Sequence, residues 1–185
     1  MTEWIKNLRD NLRREFGEVP AVCFLATVGL DGRPRVRTML LRELRPDDGA
    51  LVFISDRRTN KDDELKARAD AEVVFWLPKA QHQYRLRGQG VVAEGEGGEY
   101  LREQWWSRIS DASRALFLSH RGSAQGHHAA TPRQAGPETP MPSTFELILF
   151  HPTEVETLDV SKLPFVKVLY TRQSDDEWKT EALSD

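Results

Sequence analysis

The chain has 185 residues, of which 39% are hydrophobic and 30% charged, with a formal net charge of −3. That length suits one domain burying roughly 70% of its unfolded surface, and the charge excludes a global field attracting nucleic acid or an anionic membrane. The lone cysteine, Cys23, excludes an intrachain disulfide, and no apolar run is long enough for a signal peptide or a membrane span, so a cytoplasmic location is expected.

Trp4, Leu8, Leu12 and Phe16 recur every fourth residue, which predicts an amphipathic first helix. "PAVCFLATV" is a run of strand formers, with Cys23 read as a small buried hydrophobe, and the Asp-Gly signal in "GLDGRPR" turns it into a hairpin. The returning strand is "RVRTMLLREL", residues 35–44, which carries cations on both faces. Strand alternation puts Arg35, Arg37, Met39 and Leu41 on one side and Val36, Thr38, Leu40 and Arg42 on the other. "RPDDG" makes the next turn and "ALVFIS" a third, strongly apolar strand. "TNKDDELKARAD" reads as a short polar helix, and "AEVVFWL" and "QYRLRGQGVVAE" as two further strands. "GGEYLREQWWSRI" and "SDASRALFLSH" read as helices, and "STFELILFHP" and "VKVLYTR" return to strand.

Many short strands with helices at the edges predict a mainly β (α+β) chain, a small antiparallel barrel rather than a βαβ sheet. Residues 1–120 form the core in this reading. Residues 121–144, rich in Gly and Pro, form a flexible surface loop, and 145–185 complete the same domain. His127 and His128 in that loop lack ligands at metal spacing, so no metal site is expected. Trp105 and Trp106 read as packing, and of Phe75 and Trp76 one belongs to the core. Arg108 either holds a phosphate or is a solvated helix charge. Arg85 and Arg87 come without an aromatic platform, so nucleic-acid binding is not expected.

Thr59 and Asn60 resemble cap residues, and Lys61 follows in the first turn of the polar helix. Such a terminus suits a phosphate. Locally, however, Asp62 and Asp63 already compensate the dipole, and a capped surface helix explains the segment as well. Gln83, Arg85 and Arg87 share a face of the fifth strand, as either a wet barrel face or the wall of a groove. No Walker or Rossmann glycine pattern is present.

The order "RTMLLR", "VFISDRRTNKDDEL", "VVFWLPKAQHQYRLRG" resembles the pyridoxamine 5′-phosphate oxidase-like flavoproteins, which form a split β-barrel and bind FMN. Three blocks in order, covering roughly a third of the chain, favour the phosphate reading over the capped surface helix. The resemblance implies that Arg37 grips the FMN phosphate while Thr38, Met39 and Leu40 lie along the ring. It puts Ile54 and Ser55 at the flavin, and Thr59, Asn60 and Lys61 on the phosphate cradle, with Asn60 replacing an Arg. Gln83 reaches the flavin from a neighbouring subunit, which implies a homodimer with FMN at its interface. Lys167 is expected near the ring's polar edge, and Arg42 at both cofactor and substrate.

The departures concern substrate. The positions that hold substrate phosphate in true oxidases are here Arg42, Gln104, Arg108 and Ala112, with Ser113 adjacent. Their C-terminal Arg-x-His-x-Arg signature is replaced by Leu163, Phe165 and Lys167, and a flavin-packing Trp by Leu158. The resemblance is therefore to a subgroup lacking the true oxidase signature. It implies an FMN-dependent oxidoreductase for an unidentified small molecule. The alternatives are a genuine oxidase with a rebuilt substrate site, or a non-catalytic flavin-binding or sensing protein or a deazaflavin user.

Overall fold

The computed structural model describes residues 2–118, 135–174 and 177–183. Helix α1 (Glu3–Phe16) buries Trp4, Ile5, Leu8 and Leu12. Strand β1 (Ala21–Val28) turns its odd-numbered residues inward, Cys23 among them, and burial pushes that thiol up to about 12. The predicted hairpin follows, with Gly32 at φ 76° in the turn, a conformation open to glycine. Strand β2 (Pro34–Leu44) pairs antiparallel with β1, Leu25 opposite Arg37 and Phe24 opposite Thr38.

The next elements are β3 (Leu51–Asp56), α2 (Asn60–Ala67), β4 (Asp70–Leu77) and β5 (His82–Val92). Helices α3 (Gly95–Arg108) and α4 (Asp111–Leu118) precede β6 (Phe145–Asp159), β7 (Val166–Arg172) and β8 (Trp178–Leu183). The sheet runs β3-β2-β1-β4-β5-β6-β7-β8, and β3 also pairs with β6, which closes the first six strands into an antiparallel barrel. The split-barrel expectation is met. Two strands then extend the sheet past the closure.

Strand β6 makes this possible by its length. Its first half joins β3, and its second half pairs with the start of β5 and with β7. The sequence reading ended this strand at His151 and Pro152. Pro152 instead sits at an irregularity of the β5–β6 ladder, opposite Gly88. A Cβ on Gly88 would lie 2.1 Å from the His151 carbonyl oxygen, so the close approach requires glycine. Strand β8 was not predicted.

The barrel interior is filled by Leu25, Phe53, Phe75, Tyr84, Leu86 and Phe150, and α1 closes one end onto the same cluster. Each such side chain contributes about 1.5–3 kcal/mol on burial. A second cluster lies outside the barrel, where Val52, Phe145 and Leu147 of β3 and β6 meet Trp106 and Ile109. Trp106 is packing, as expected, and its Nε1 donates to the Thr139 carbonyl at 2.7 Å. The end of the predicted loop, residues 135–144, is thereby tied to α3, and Met141 packs on the second cluster. The histidine pair at 127 and 128 lies outside the described residues. Phe75 is core and Trp76 is exposed. Among the described residues, no helix is long and apolar enough to cross a membrane.

Candidate functional site

Strand β2 sorts its side chains as alternation demands. Met39 and Leu41 are buried inward, while Val36 and Leu40 are exposed on the outer face. The ladder with β3 slips between Leu41 and Glu43, so Arg42 stands at a β-bulge. Bulges re-aim side chains, often beside functional sites.

A cleft of about 480 Å³ lies against β2, between β3, the N-terminus of α2 and α4. Thr38, Met39, Leu40 and Arg42 form its β2 wall, and Ile54 and Ser55 its β3 wall. Thr59 and Lys61 close the polar end, and Ser113, Leu116 and Phe117 of α4 the far side. Thr59 is the N-cap by position, but its hydroxyl donates to the Asp56 carbonyl at 2.6 Å and caps no helix N–H. Asn60, read as a cap, is the first helical residue; it is exposed and does not line the cleft. Lys61 Nζ donates to Thr59 Oγ1 and lies 4.0 Å from Asp62 Oδ1. Ser55 Oγ is hydrogen-bonded to Asp62, behind the wall.

Arg37 faces the other way. Its Nη2 pairs with Glu64 Oε2 at 2.7 Å, and its Nη1 donates to Thr27 Oγ1 at 2.6 Å and to the Leu25 carbonyl at 3.3 Å. Thr27 donates in turn to Glu64 at 2.6 Å. The arginine expected at the phosphate thus ties α2 to the barrel mouth and does not line the cleft. Gln83 and Lys167 do not line it either. They sit on β5 and β7, each paired with Leu158 of β6. Arg85 and Arg87 run into an ion-pair ladder with Glu72, Glu154 and Glu156 across β4, β5 and β6.

A second cleft of about 500 Å³ shares Arg42 and Ser113 with the first and adds Arg108. All three residues expected at substrate therefore line one space. Arg42 is half-buried, and desolvation pulls its guanidinium pKa below the ordinary value. No carboxylate pairs with it among the described residues. The sequence reading missed Arg9 and Arg13 of α1, which line the same cleft. Their spacing of four along a helix, which puts them on one face, was the available signal. Buried Arg114 fixes this corner: it donates to the Trp106 and Ser107 carbonyls at the end of α3, at 3.1 Å and 2.9 Å from Nη2.

The donor set fits a phosphorylated aromatic group. Hydroxyls, an ammonium and a helix N-terminus gather at one end, and Met39, Leu40, Ile54 and Phe117 give an apolar wall for a flat ring. Barrel and cleft together define a split-barrel flavin-binding protein. The family model of the pyridoxamine 5′-phosphate oxidase FMN-binding domain matches residues 1–94, just over half the chain, and the chain belongs to that family. FMN is accordingly its cofactor.

A pyridoxine/pyridoxamine 5′-phosphate oxidase of Thermosynechococcus vestitus is 30% identical over 178 residues, 93% of this chain and 82% of the relative. One solved structure, a pyridoxamine 5′-phosphate oxidase-related, FMN-binding protein of Nostoc punctiforme, superimposes with a TM-score of 0.88 at 29% identity, covering 100% of this chain and 99% of that one. PhzG of Burkholderia lata, solved in complex with tetrahydrophenazine-1-carboxylic acid, shares the fold with a TM-score of 0.81 at 24% identity, covering 100% and 94%.

Proposed function

We propose that the protein is an FMN-dependent oxidoreductase acting on a small anionic substrate, and that it works as a homodimer. The observation that carries the reading is Arg42, a half-buried cation without an acidic partner among the described residues, on the wall common to both clefts. Lys61, Thr59 and the α2 N-terminus hold the cofactor phosphate, while Met39, Leu40 and Ile54 support the ring. Arg42, Arg108 and Ser113 hold the substrate's anionic group beside it. When bound, FMN supplies two-electron transfer at its ring. The protein's own residues anchor, orient and supply positive charge.

The dimer is supported by an exposed apolar surface on β1, β2 and β4, formed by Val22, Phe24, Val36, Leu40 and Trp76. It borders the cleft at Leu40, and it explains why Gln83 and Lys167 lie away from the cleft of their own chain: a second copy brings them to it. Sedimentation should return twice the chain mass, and Gln83→Ala should weaken FMN binding about fivefold, the worth of one ring hydrogen bond. A monomer that binds FMN fully would remove this part of the reading.

A second reading, a pyridoxine/pyridoxamine 5′-phosphate oxidase with a rebuilt substrate site, is favoured by the meeting of Arg42, Arg108 and Ser113. Against it, Leu163 and Phe165 hold the C-terminal positions and are exposed. Anaerobic mixing of the FMN-loaded protein with pyridoxamine 5′-phosphate, pyridoxine 5′-phosphate or tetrahydrophenazine-1-carboxylic acid separates the readings. Flavin bleaching by the phosphorylated pyridines alone selects the second; bleaching by none, with nicotinamide donors also silent, points to a non-catalytic flavin protein.

A further inference from the structure

Behind the cleft wall, α2 carries an acid that the proposed function leaves unused. Asp62 stands in the first turn, where an acid ordinarily faces water or reaches back to the helix cap. Here it is 0% exposed. Its Oδ1 shares a hydrogen bond with Ser55 Oγ, and its Oδ2 is buried without a partner. Ser55 is itself only 2% exposed and lines the cleft. The charged neighbours are Lys61, at 4.0 Å, and Lys66 on α2, and Glu146 of β6, a fully buried carboxylate paired with Arg57 and Arg102.

Two protonation states give the Ser55–Asp62 bond opposite directions. An ionised Asp62 takes the hydroxyl proton of Ser55, leaves a charged oxygen unsatisfied in the interior and lets Ser55 offer only lone pairs to the cleft. A neutral Asp62 with its proton on Oδ1 donates to Ser55 Oγ. Only a carbonyl oxygen then stays unpaired, which is the cheaper arrangement, and the Ser55 proton is freed. Burial pushes the Asp62 carboxyl up and Glu146 adds to the push, while the Ser55 bond and the two lysines pull the other way; the balance is upward.

We propose that Asp62 is a positioning residue: as the neutral acid it donates to Ser55 and so makes the Ser55 hydroxyl a hydrogen-bond donor to the FMN held in the cleft. The inference rests on the FMN-site reading above. A proton held outside the cleft sets the polarity of one of its walls.

The deciding measurement is carboxyl-carbon NMR of the wild-type protein labelled at aspartate, without FMN and at neutral pH. One aspartate should resonate as a protonated acid, and that resonance should move in Ser55→Ala. A spectrum in which every aspartate is ionised overturns the proposal. FMN titration by flavin fluorescence supplies the second readout. Ser55→Ala should raise Kd about five- to tenfold, Ser55→Thr should restore it, and Asp62→Asn should stay within about twofold of wild type. Unchanged affinity in Ser55→Ala removes the donor role. A wild-type protein that retains no FMN would sink the flavin-site reading as well, whereas an ionised Asp62 in a protein that binds FMN sinks this inference alone.

Discussion

Strand β2 carries two arginines that the fold treats in opposite ways. Arg37, on the inner face, gives its guanidinium to Glu64, Thr27 and the Leu25 carbonyl. Arg42, at the bulge, has no carboxylate among the described residues and stands between two clefts. A cation whose hydrogen bonds are met inside the protein stabilises the fold. One desolvated without a partner costs stability, and its retention points to a ligand. The difference separates an arginine that builds the site from one that uses it.

The largest effect should come from removing the structural arginine. Arg37→Ala leaves the buried Glu64 carboxylate with the Thr27 hydroxyl but without its cation, and Thr27 without its donor, which should cost about 3 kcal/mol in urea unfolding. Arg42→Ala, which removes a desolvated cation without an acidic partner among the described residues, should leave unfolding at or slightly above the wild-type stability. The comparison breaks if Arg37→Ala unfolds like wild type and loses only FMN, because Arg37 would then be a phosphate ligand after all.

Arg42→Ala should instead act on substrate. Losing one charge-assisted contact should raise KM for an anionic substrate about 10- to 100-fold, with FMN Kd changed far less. Arg42→Lys, which keeps the charge but not the planar fork, should recover part of that loss. Equal losses in FMN and substrate affinity would move Arg42 from the substrate side to the cofactor side.

The family resemblance put Arg42 at substrate, while nothing in the sequence disclosed the partners of Arg37. Period-four apolar residues marked α1, a run of strand formers marked β1, and the Asp-Gly turn marked the hairpin, since each feature is set by neighbours in sequence. The partition of β2 into two faces followed from alternation alone. The commitment of Arg37 did not, because Glu64 lies on α2 and Thr27 on β1, and only barrel closure brings them together. The cleft residues on β2, β3 and the α2 N-terminus were expected only through the resemblance of three contiguous blocks, since local pattern explains residues 59–61 as a capped surface helix. Arg9 and Arg13 were not expected there, because on α1 they look like an ordinary solvated face. Strand β8 escaped because "WKTEAL" is an edge strand with mostly exposed side chains, so burial imprints no alternation on it. The full β6 escaped because a proline within an extended run normally ends it, and the irregularity opposite Gly88 that admits Pro152 is a tertiary feature.

The contrast between a met charge and an unmet one extends to α2, where it sets the smallest expected effect. Glu64 has an arginine; Asp62 has Ser55 and an empty-handed second oxygen. The folded protein holds the Asp62 proton more tightly than the unfolded chain, because the folded carboxyl is pushed up by burial. The stability linked to this group is therefore fully present below the unfolded aspartate pKa, about 3.9, and is lost as pH rises through the higher folded value. The Asp159 carboxyl, held low chiefly by its bond from Ser161, has the opposite sign: its contribution is present above the unfolded value and is lost as pH falls through the folded one. Asp62→Asn, which cannot ionise, should remove only the first dependence. In urea melts stepped upward in pH, the variant should gain on wild type as the medium becomes less acidic, while the acid-side loss tied to Asp159 remains in both. A variant that tracks wild type at every pH would mean that Asp62 titrates alike in folded and unfolded chains, and its burial would then have no electrostatic consequence.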